Sequence, residues 1–500
     1  MTRSTRTTTA LRTTFLLCVF LAASADAQTN GPVPATFFGQ HFIHPASPWP
    51  VVEFGSRRFW DTGTRWGQFQ TNHSTSQPAW NWSALDAWLD GMRAHGLSDA
   101  LFNLGGQTPD WLASGKDPKC DYNRGGCYPP ADIAATCSDR DNTHTCDGQA
   151  DGKNLGWRQW VAAVAGHINN SGTGVHIAAY EVWNEFTRQA NSGNEYLAWK
   201  GSTRQMVRLA EDARCIVTGR GAVTGTGESC AQVLKSVGLA SAIDPAAVLL
   251  SGSAGLREAQ KANFYAYMNT PGASAATEAI AVHIYQASAE RAREGLAKFI
   301  SGLNSADRAK PVWETEGGFG TTKALTDHDE QAAYVARYYL LLLDAGLVRV
   351  YWYCFDNAAW GSMWLKNGDN NHTGDGNRIT CDERQPPYGL GAGKGCLLPT
   401  GKAYRQVYKW LVGNTPAKRC SNAGAVYTCG LTKPDGTELL AVWDASQKCS
   451  HGTCTHSSYS PGAKYSQYYD LDGGTAHPIS GSSIPIGAKP ILLQSSRKTR

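Results

Sequence analysis

The chain has little net charge. Its 46 Lys and Arg stand against 42 Asp and Glu, leaving +4 at neutral pH, which gives no reason to expect a nucleic-acid partner. Beyond the first 27 residues no apolar run approaches the roughly 20 residues of a membrane span. There is no G-x-G-x-x-G and no P-loop, so the usual phosphate-cradling turns are missing and no nucleotide cofactor is expected. Internal repeats and low-complexity tracts are also lacking. No H-x-H marks the first strand. Its "QHFIH" spaces His41 and His44 by three, which throws them to opposite faces of a strand. That argues against a metal-dependent reaction centre, and no metal is expected.

What is present begins at the N-terminus. Arg3, Arg6 and Arg12 precede the apolar run Phe15–Ala23, and Ala25-Asp26-Ala27 offers small residues for cleavage. This reads as a secretory signal over residues 1–27 and an exported product, extracellular or periplasmic. The cysteines fit an oxidising compartment. Once Cys18 leaves with the signal, thirteen of the 14 remain. Nearest-neighbour pairing, one option among many, gives Cys120–Cys127, Cys137–Cys146, Cys215–Cys230, Cys381–Cys396, Cys420–Cys429 and Cys449–Cys454, with Cys354 left as a buried thiol. In "CSHGTCTH" (449–456) a disulfide is preferred to a metal site, because zinc fingers space their cysteines more tightly. Four Asn-x-Ser/Thr sites, at Asn72, Asn81, Asn169 and Asn371, are glycan acceptors if the host glycosylates.

From residue 37 short β-rich runs alternate with helix-period runs. Strands are predicted at 37–43, 57–61, 98–104, 175–183, 247–251, 278–285, 311–316 and 347–354. Helices are predicted at 83–95, 153–168, 194–214, 257–269, 288–304, 328–345 and 401–412. In the first helix Leu85, Trp88, Leu89 and Met92 mark one apolar face. Eight such alternations predict an α/β fold, a (β/α)8 TIM barrel over 28–412. The alternative, a doubly wound open sheet, would usually carry an early phosphate loop. Two Cys-rich insertions, 108–150 and 355–400, follow the third and eighth strands and would emerge at the C-terminal face of the barrel. From 413 to 500 alternating short runs between turns predict a small antiparallel β-sandwich domain.

In such barrels, reactive side chains sit at the C-terminal ends of strands. The fourth strand, "YEVWNEFT" (180–187), carries Glu181, Asn184 and Glu185 among apolar residues, groups that are costly to bury without partners. The seventh ends in Glu314-Thr315-Glu316-Gly317-Gly318, the sixth in His283-Ile284-Tyr285, and the eighth holds Trp352 and Tyr353. A carboxyl group at each of two strand ends is what glycosidic hydrolysis needs: one holds a proton for the leaving oxygen and the other stays ionised.

"EVWNE" on the fourth strand and "WETEG" on the seventh, with "HIY" between them, resemble the clan A glycoside hydrolases, and the trailing β-domain resembles that of family 39 and family 5-like members. The resemblance covers roughly 36–412. It implies a retaining glycosidase acting on β-linked polysaccharides or oligosaccharides through two glutamates. Glu185 would be the acid/base. Two candidates for the nucleophile occur, Glu314 and Glu316; the T-E-G ending of the clan matches Glu316, and strand alternation puts Glu314 on the same side one layer deeper. It further implies that Asn184 meets the sugar 2-hydroxyl, that Tyr285 and Arg58 hold Glu316, that His283 lines the site and that Trp352 or Tyr353 floors it. Trp111, Trp360 and Trp364, in the long loops, would stack on sugars or pack those loops. Glu181 is read as a buried partner of Arg57 or His41. Transglycosylation on the same scaffold and a catalytically inactive carbohydrate-binding protein are the alternatives. The expected partner is a carbohydrate, with no nucleic acid, no membrane span and a monomeric state.

Overall fold

The structure, a computed structural model, describes residues 31–122, 124–138, 142, 144–189, 191, 197–371, 378–450 and 452–496. The predicted signal, 1–27, lies outside the described residues. The barrel strands are β1 (Phe38–Gln40), β2 (Ser56–Phe59), β3 (Asp99–Asn103), β4 (His176–Glu181), β5 (Val248–Leu250), β6 (Ile280–Tyr285), β7 (Val312–Gly318) and β8 (Arg349–Trp352). They pair in parallel in the order β5-β4-β3-β2-β1-β8-β7-β6. A parallel bridge between Leu250 and Ala279 brings β5 against β6 and closes the ring.

Seven principal helices cover the outside: α1 (Ser83–Ala94), α2 (Leu155–Asn169), α3 (Thr203–Thr218), α4 (Glu258–Met268), α5 (Ala289–Ser301), α6 (His328–Asp344) and α7 (Pro399–Leu411). The apolar face of α1 is buried through Leu85, Trp88, Leu89 and Met92. Helix α3 begins later than the predicted 194. Ser202 caps it, accepting from the Gln205 N–H while the Gln205 side chain returns to the Ser202 N–H, a reciprocal cap that ends the preceding loop.

Barrel strands are buried on both faces, and β6 shows why its sequence is nearly all apolar. Ile280, Val282 and Ile284 join the core under the helices. Ala281 points inward, where Leu101, Ala179, Leu250, Trp313 and Tyr351 fill the barrel. The large Trp313 and Tyr351 beside small alanines plug the floor and leave polar side chains to occupy the upper layer.

A six-stranded antiparallel sheet follows α7, beginning at Thr415. Its strand Glu438–Asp444 alternates cleanly. Leu439, Ala441 and Trp443 join the main core, while Leu440 and Val442 pack with Tyr465, Ile484, Ile486 and Leu493. The second face is covered by the ribbon Ser457–Tyr459 paired with Ile484–Ile486. Asp344 of α6 accepts the backbone N–H of Cys420 in this sheet, and Glu330 accepts that of Cys449 in a separate two-stranded hairpin, fixing both to the helix layer.

Six disulfides join Cys120 to Cys127, Cys137 to Cys146, Cys215 to Cys230, Cys381 to Cys396, Cys420 to Cys429 and Cys449 to Cys454, while Cys354 is a buried thiol. With its two cysteines bonded to each other, 449–456 has no thiolate for a metal; His451 lies outside the described residues. Asn371 is buried against His328, so it is closed to glycan attachment in the folded chain. Among the described residues no helix is long and apolar enough to cross a membrane.

Candidate active site

Adjacent residues on a strand face opposite sides, and β2 uses this with two arginines. Arg57 points outward, its guanidinium 3.7 Å from the Trp88 ring centre and 4.0 Å from that of Phe42. Arg58 points into the barrel. Its Nε and Nη2 donate to Glu181 Oε2 at 2.9 and 2.6 Å, Nη2 also to Asn184 Oδ1 at 2.8 Å, and Nη1 to Glu316 Oε2 at 2.9 Å. Glu181 further accepts from Asn103 at 2.8 Å and Thr315 at 3.0 Å. Its expected partners, Arg57 and His41, are therefore corrected to Arg58, Asn103 and Thr315. His41 bonds the Thr315 carbonyl instead. Burial opposes the charge on Arg58, but Glu181 and Glu316 outweigh that effect and raise it above the ordinary arginine value. A buried ion pair is tolerable only when saturated in this way.

On β7 the pairing register slips. Glu314 pairs with Val282, but Glu316 pairs with His283, so one residue is extra. A bulge of this kind re-aims the side chains that follow it. Thr315 reaches Glu181 inside the barrel, and Glu316 reaches Arg58 and accepts from the Tyr285 hydroxyl at 2.7 Å. Glu314 turns outward to Tyr338 of α6 at 3.1 Å and accepts from the Tyr351 N–H at 2.8 Å. The expectation that Glu314 lies beneath Glu316 on the same side is corrected: simple alternation does not survive the bulge. Burial without a cationic partner pushes Glu314 well above the ordinary glutamate value.

Glu185 follows β4 with φ of 47°, a left-handed conformation that costs a non-glycine residue about 1–2 kcal/mol. Its N–H donates to Ser253 Oγ at 2.8 Å. Its Oε1 lies 3.1 Å from His283 Nδ1, and its Oε2 accepts from Arg188 Nη1 at 2.6 Å. Burial alone would raise Glu185, but the His283 hydrogen bond and the Arg188 guanidinium outweigh it and bring it down to about 2. Burial lifts Glu316 above the ordinary value, against the pull of His283 and Arg58. His283 and Arg188 thus favour the carboxylate form of Glu185.

Oxygens of Glu185 and Glu316 and a His283 nitrogen all lie within 4.8 Å of one another. Three such ligand atoms could approach a cation. Here each carboxylate already carries an arginine, Arg188 on Glu185 and Arg58 on Glu316, which would repel a dication.

The cavity above them holds about 620 Å³ and is lined by Asn184, Glu185, His283, Tyr285, Glu316, Tyr353 and Trp360, among others. Tyr353 lies in its wall with its hydroxyl 3.0 Å from Asp61. Trp352 is fully buried on the opposite face of β8, against Phe319, Tyr334 and Tyr338. It does not floor the site; that correction follows from strand alternation. Trp111 stacks on His73 at 5.5 Å, away from the cavity. Trp364 packs on Phe355. Both pack their loops. Among the described residues none beyond Trp360 lines the cavity.

Sequence reasoning missed Tyr122, Asp121, Arg188 and Ser253. Tyr122 is 47% exposed and Trp360 38%, and both border this cavity. Tyr122 could have been singled out as the aromatic residue inside the tight Cys120–Cys127 loop. Arg188, three residues after Glu185, could have been read as its neighbour on a turn. Ser253 gave no signal.

Comparison with solved structures recovers the fold. The chain is similar to a family 39 glycoside hydrolase from the gut symbiont Bacteroides cellulosilyticus WH2, with a TM-score of 0.55 and 14% identity over 93% of this chain and 81% of that one. It is similar to the catalytic domain of GH30 xylanase C from Talaromyces cellulolyticus, with 0.51 and 15% over 93% and 99%. A glucosidase from Croceicoccus marinus gives 0.50 and 13% over 94% and 97%. No family model and no curated protein matches the sequence. Identities this low speak to architecture: the chain has the barrel and appended β-domain seen in glycoside hydrolases.

Proposed function

We propose that the chain is a secreted retaining glycoside hydrolase acting on β-linked polysaccharides or oligosaccharides. One observation supports the reading most: one carboxyl oxygen of Glu185 and one of Glu316, from the ends of β4 and β7, lie within 4.8 Å of each other, both beside His283. A nearest-oxygen approach this short accords with retaining enzymes, whose two carboxyl groups stand about 5–5.5 Å apart, more than with inverting enzymes, whose groups stand about 6.5–9.5 Å apart to admit a water.

Glu316, held by Arg58 and Tyr285, attacks the anomeric carbon. The glycosidic C–O bond breaks as Glu185, protonated once substrate is bound, gives its proton to the leaving oxygen. A glycosyl ester on Glu316 results. Glu185, now a carboxylate, takes a proton from water as that water attacks the same carbon and frees Glu316. Two inversions give net retention. Asn184, anchored by Arg58, is assigned to the sugar 2-hydroxyl, and Tyr353 and Trp360 to the ring faces. Burial holds the Tyr285 hydroxyl well above the ordinary tyrosine value, so it remains a donor to Glu316. The barrel is assigned to 28–412 and the β-domain to 413–500. Cleavage after Ala27 and export accord with the six disulfides.

The test is a panel of β-linked glycans and aryl β-glycosides, with the anomer formed first read by proton NMR. Retained configuration on at least one substrate supports the proposal. Inverted product, or no cleavage across the panel, overturns it.

A further inference from the structure

A carboxyl group that must donate a proton is hindered by a permanent cation bonded to it, because the cation favours the carboxylate. Glu185 carries one: its Oε2 accepts from Arg188 at 2.6 Å. Its Oε1 lies 3.1 Å from His283 Nδ1, which donates or accepts according to the imidazole tautomer. Arg188 cannot change its charge in this way. Moving it away is the route by which Glu185 becomes an acid.

The two neighbours of Glu185 differ in exposure. His283 sits on β6 with its side chain 1% exposed, whereas Arg188 lies on the loop after β4 with its side chain 21% exposed. Arg188 also has somewhere to go. The nitrogen that bonds Glu185, Nη1, is 2.8 Å from Asp121 Oδ2. Asp121 is fixed by its N–H to the Leu197 carbonyl and by the adjoining Cys120–Cys127 disulfide. One guanidinium nitrogen thus bridges two carboxylates at the cavity wall, and a small displacement frees the first while keeping the second.

We propose that Arg188 is a positioning residue that holds Glu185 as its carboxylate until substrate enters, and that Asp121 is the carboxylate that retains the guanidinium once it is displaced. This rests on the roles assigned above to Glu185 and Glu316. The leaving-group oxygen takes the place that Arg188 gives up, so the site acquires its acid only when occupied. Among the described residues, the charged and titratable groups bearing on Glu185 are His283 from β6, Glu316 from β7, Arg188 from its own loop, Asp121 from the 108–150 insertion and the Tyr285 hydroxyl. Of these, His283 also lies 3.8 Å from Glu316 Oε1 but is buried on β6, whereas Arg188 sits on a loop with Asp121 as its second carboxylate.

The experiment uses the mature chain labelled with 13C at the glutamate carboxyls. The Glu185 resonance is assigned by its loss in Glu185→Gln and titrated in the wild type, Arg188→Met and Arg188→Lys. Loss of an adjacent cation raises a carboxyl midpoint by about one pH unit or more. That rise is expected in Arg188→Met, while Arg188→Lys stays near the wild type. An unmoved midpoint in a folded Arg188→Met overturns the inference. This arm needs no substrate, so it decides the role of Arg188 even if the glycan panel fails. On a substrate the panel identifies, Arg188→Met should carry the alkaline limb of kcat/KM to higher pH. Asp121→Asn should lower kcat about tenfold, equivalent to about 1.4 kcal/mol, with KM little changed. A shifted midpoint with an unshifted limb refutes the gating role, and an unchanged kcat in Asp121→Asn refutes the role of Asp121.

Discussion

Glu314 and Glu316 stand two residues apart on β7 and face opposite sides of the sheet, one bonded to Tyr338 of α6 and the other to Arg58 inside the barrel. The bulge between them separates a glutamate whose carboxyl is raised by burial from the one facing Arg58 and Tyr285 in the cavity. It also places Thr315 on Glu181, so a single extra residue sets three side chains.

Glu314→Gln should fold and retain activity, because an amide can donate toward Tyr338 and still accept from the Tyr351 N–H. The wild type differs in its pH dependence. Glu314 is raised by burial, so the folded chain keeps a proton that the unfolded chain loses above the ordinary value of 4.5. The stability from that proton is full below pH 4.5 and falls as pH rises toward the folded value, by at most about 1.4 kcal/mol per pH unit. Urea unfolding of both proteins from pH 4 to 8 should show the wild type losing ground to Glu314→Gln. A constant difference refutes the assignment.

Arg58→Met strands Glu181 in the barrel. Breaking one side of a buried ion pair costs about 3–5 kcal/mol, so the midpoint of denaturant unfolding should drop markedly and hydrolysis should fall with it. Full stability in Arg58→Met would show that the Glu181–Glu316 bridge contributes little.

Much of this was legible from residue patterns. All eight barrel strands coincide with predicted runs; most are apolar almost throughout because they are buried on both faces, while β2 carries Arg57 and Arg58. Glu185 and Glu316 stood out because polar residues at the ends of such runs have no packing rationale. The bulge at Thr315 did not show, since one extra residue leaves no mark in composition, and so Glu314 was placed on the wrong side. Trp352 and Tyr353 could not be ordered without the register. Arg188, Asp121 and Tyr122 come from loops, whose paths follow from tertiary contacts and disulfides instead of periodicity.

Trp360→Ala and Trp352→Phe should fail in different ways. Trp360 is a wall of the cavity, and losing an aromatic platform worth about 0.5–1.5 kcal/mol should raise KM roughly 2- to 12-fold with stability unchanged. Trp352 is packed in the core and donates to the Gly361 carbonyl at 2.7 Å, so Trp352→Phe should lower Tm. Steady-state kinetics and calorimetry on the two variants separate these outcomes, and the reverse pattern would exchange their roles.

Glu185→Ala should lose hydrolysis of substrates with poor leaving groups by about 10²–10⁴-fold. On aryl β-glycosides with a good leaving group, where the ester on Glu316 forms without acid assistance, added azide should restore turnover and yield the β-glycosyl azide, because a small anion can occupy the vacated volume and attack the glycosyl ester. No rescue, with an intact fold, would remove Glu185 from the second step.

The most direct measurement is covalent trapping. On the sugar selected by the glycan panel, the matching 2-deoxy-2-fluoro β-glycoside with a dinitrophenyl leaving group should inactivate the protein, and peptide mass spectrometry should place the sugar on Glu316. A sugar found on Glu185 or Glu314, or turnover of the panel substrate with no trapped ester, would overturn the two-glutamate assignment.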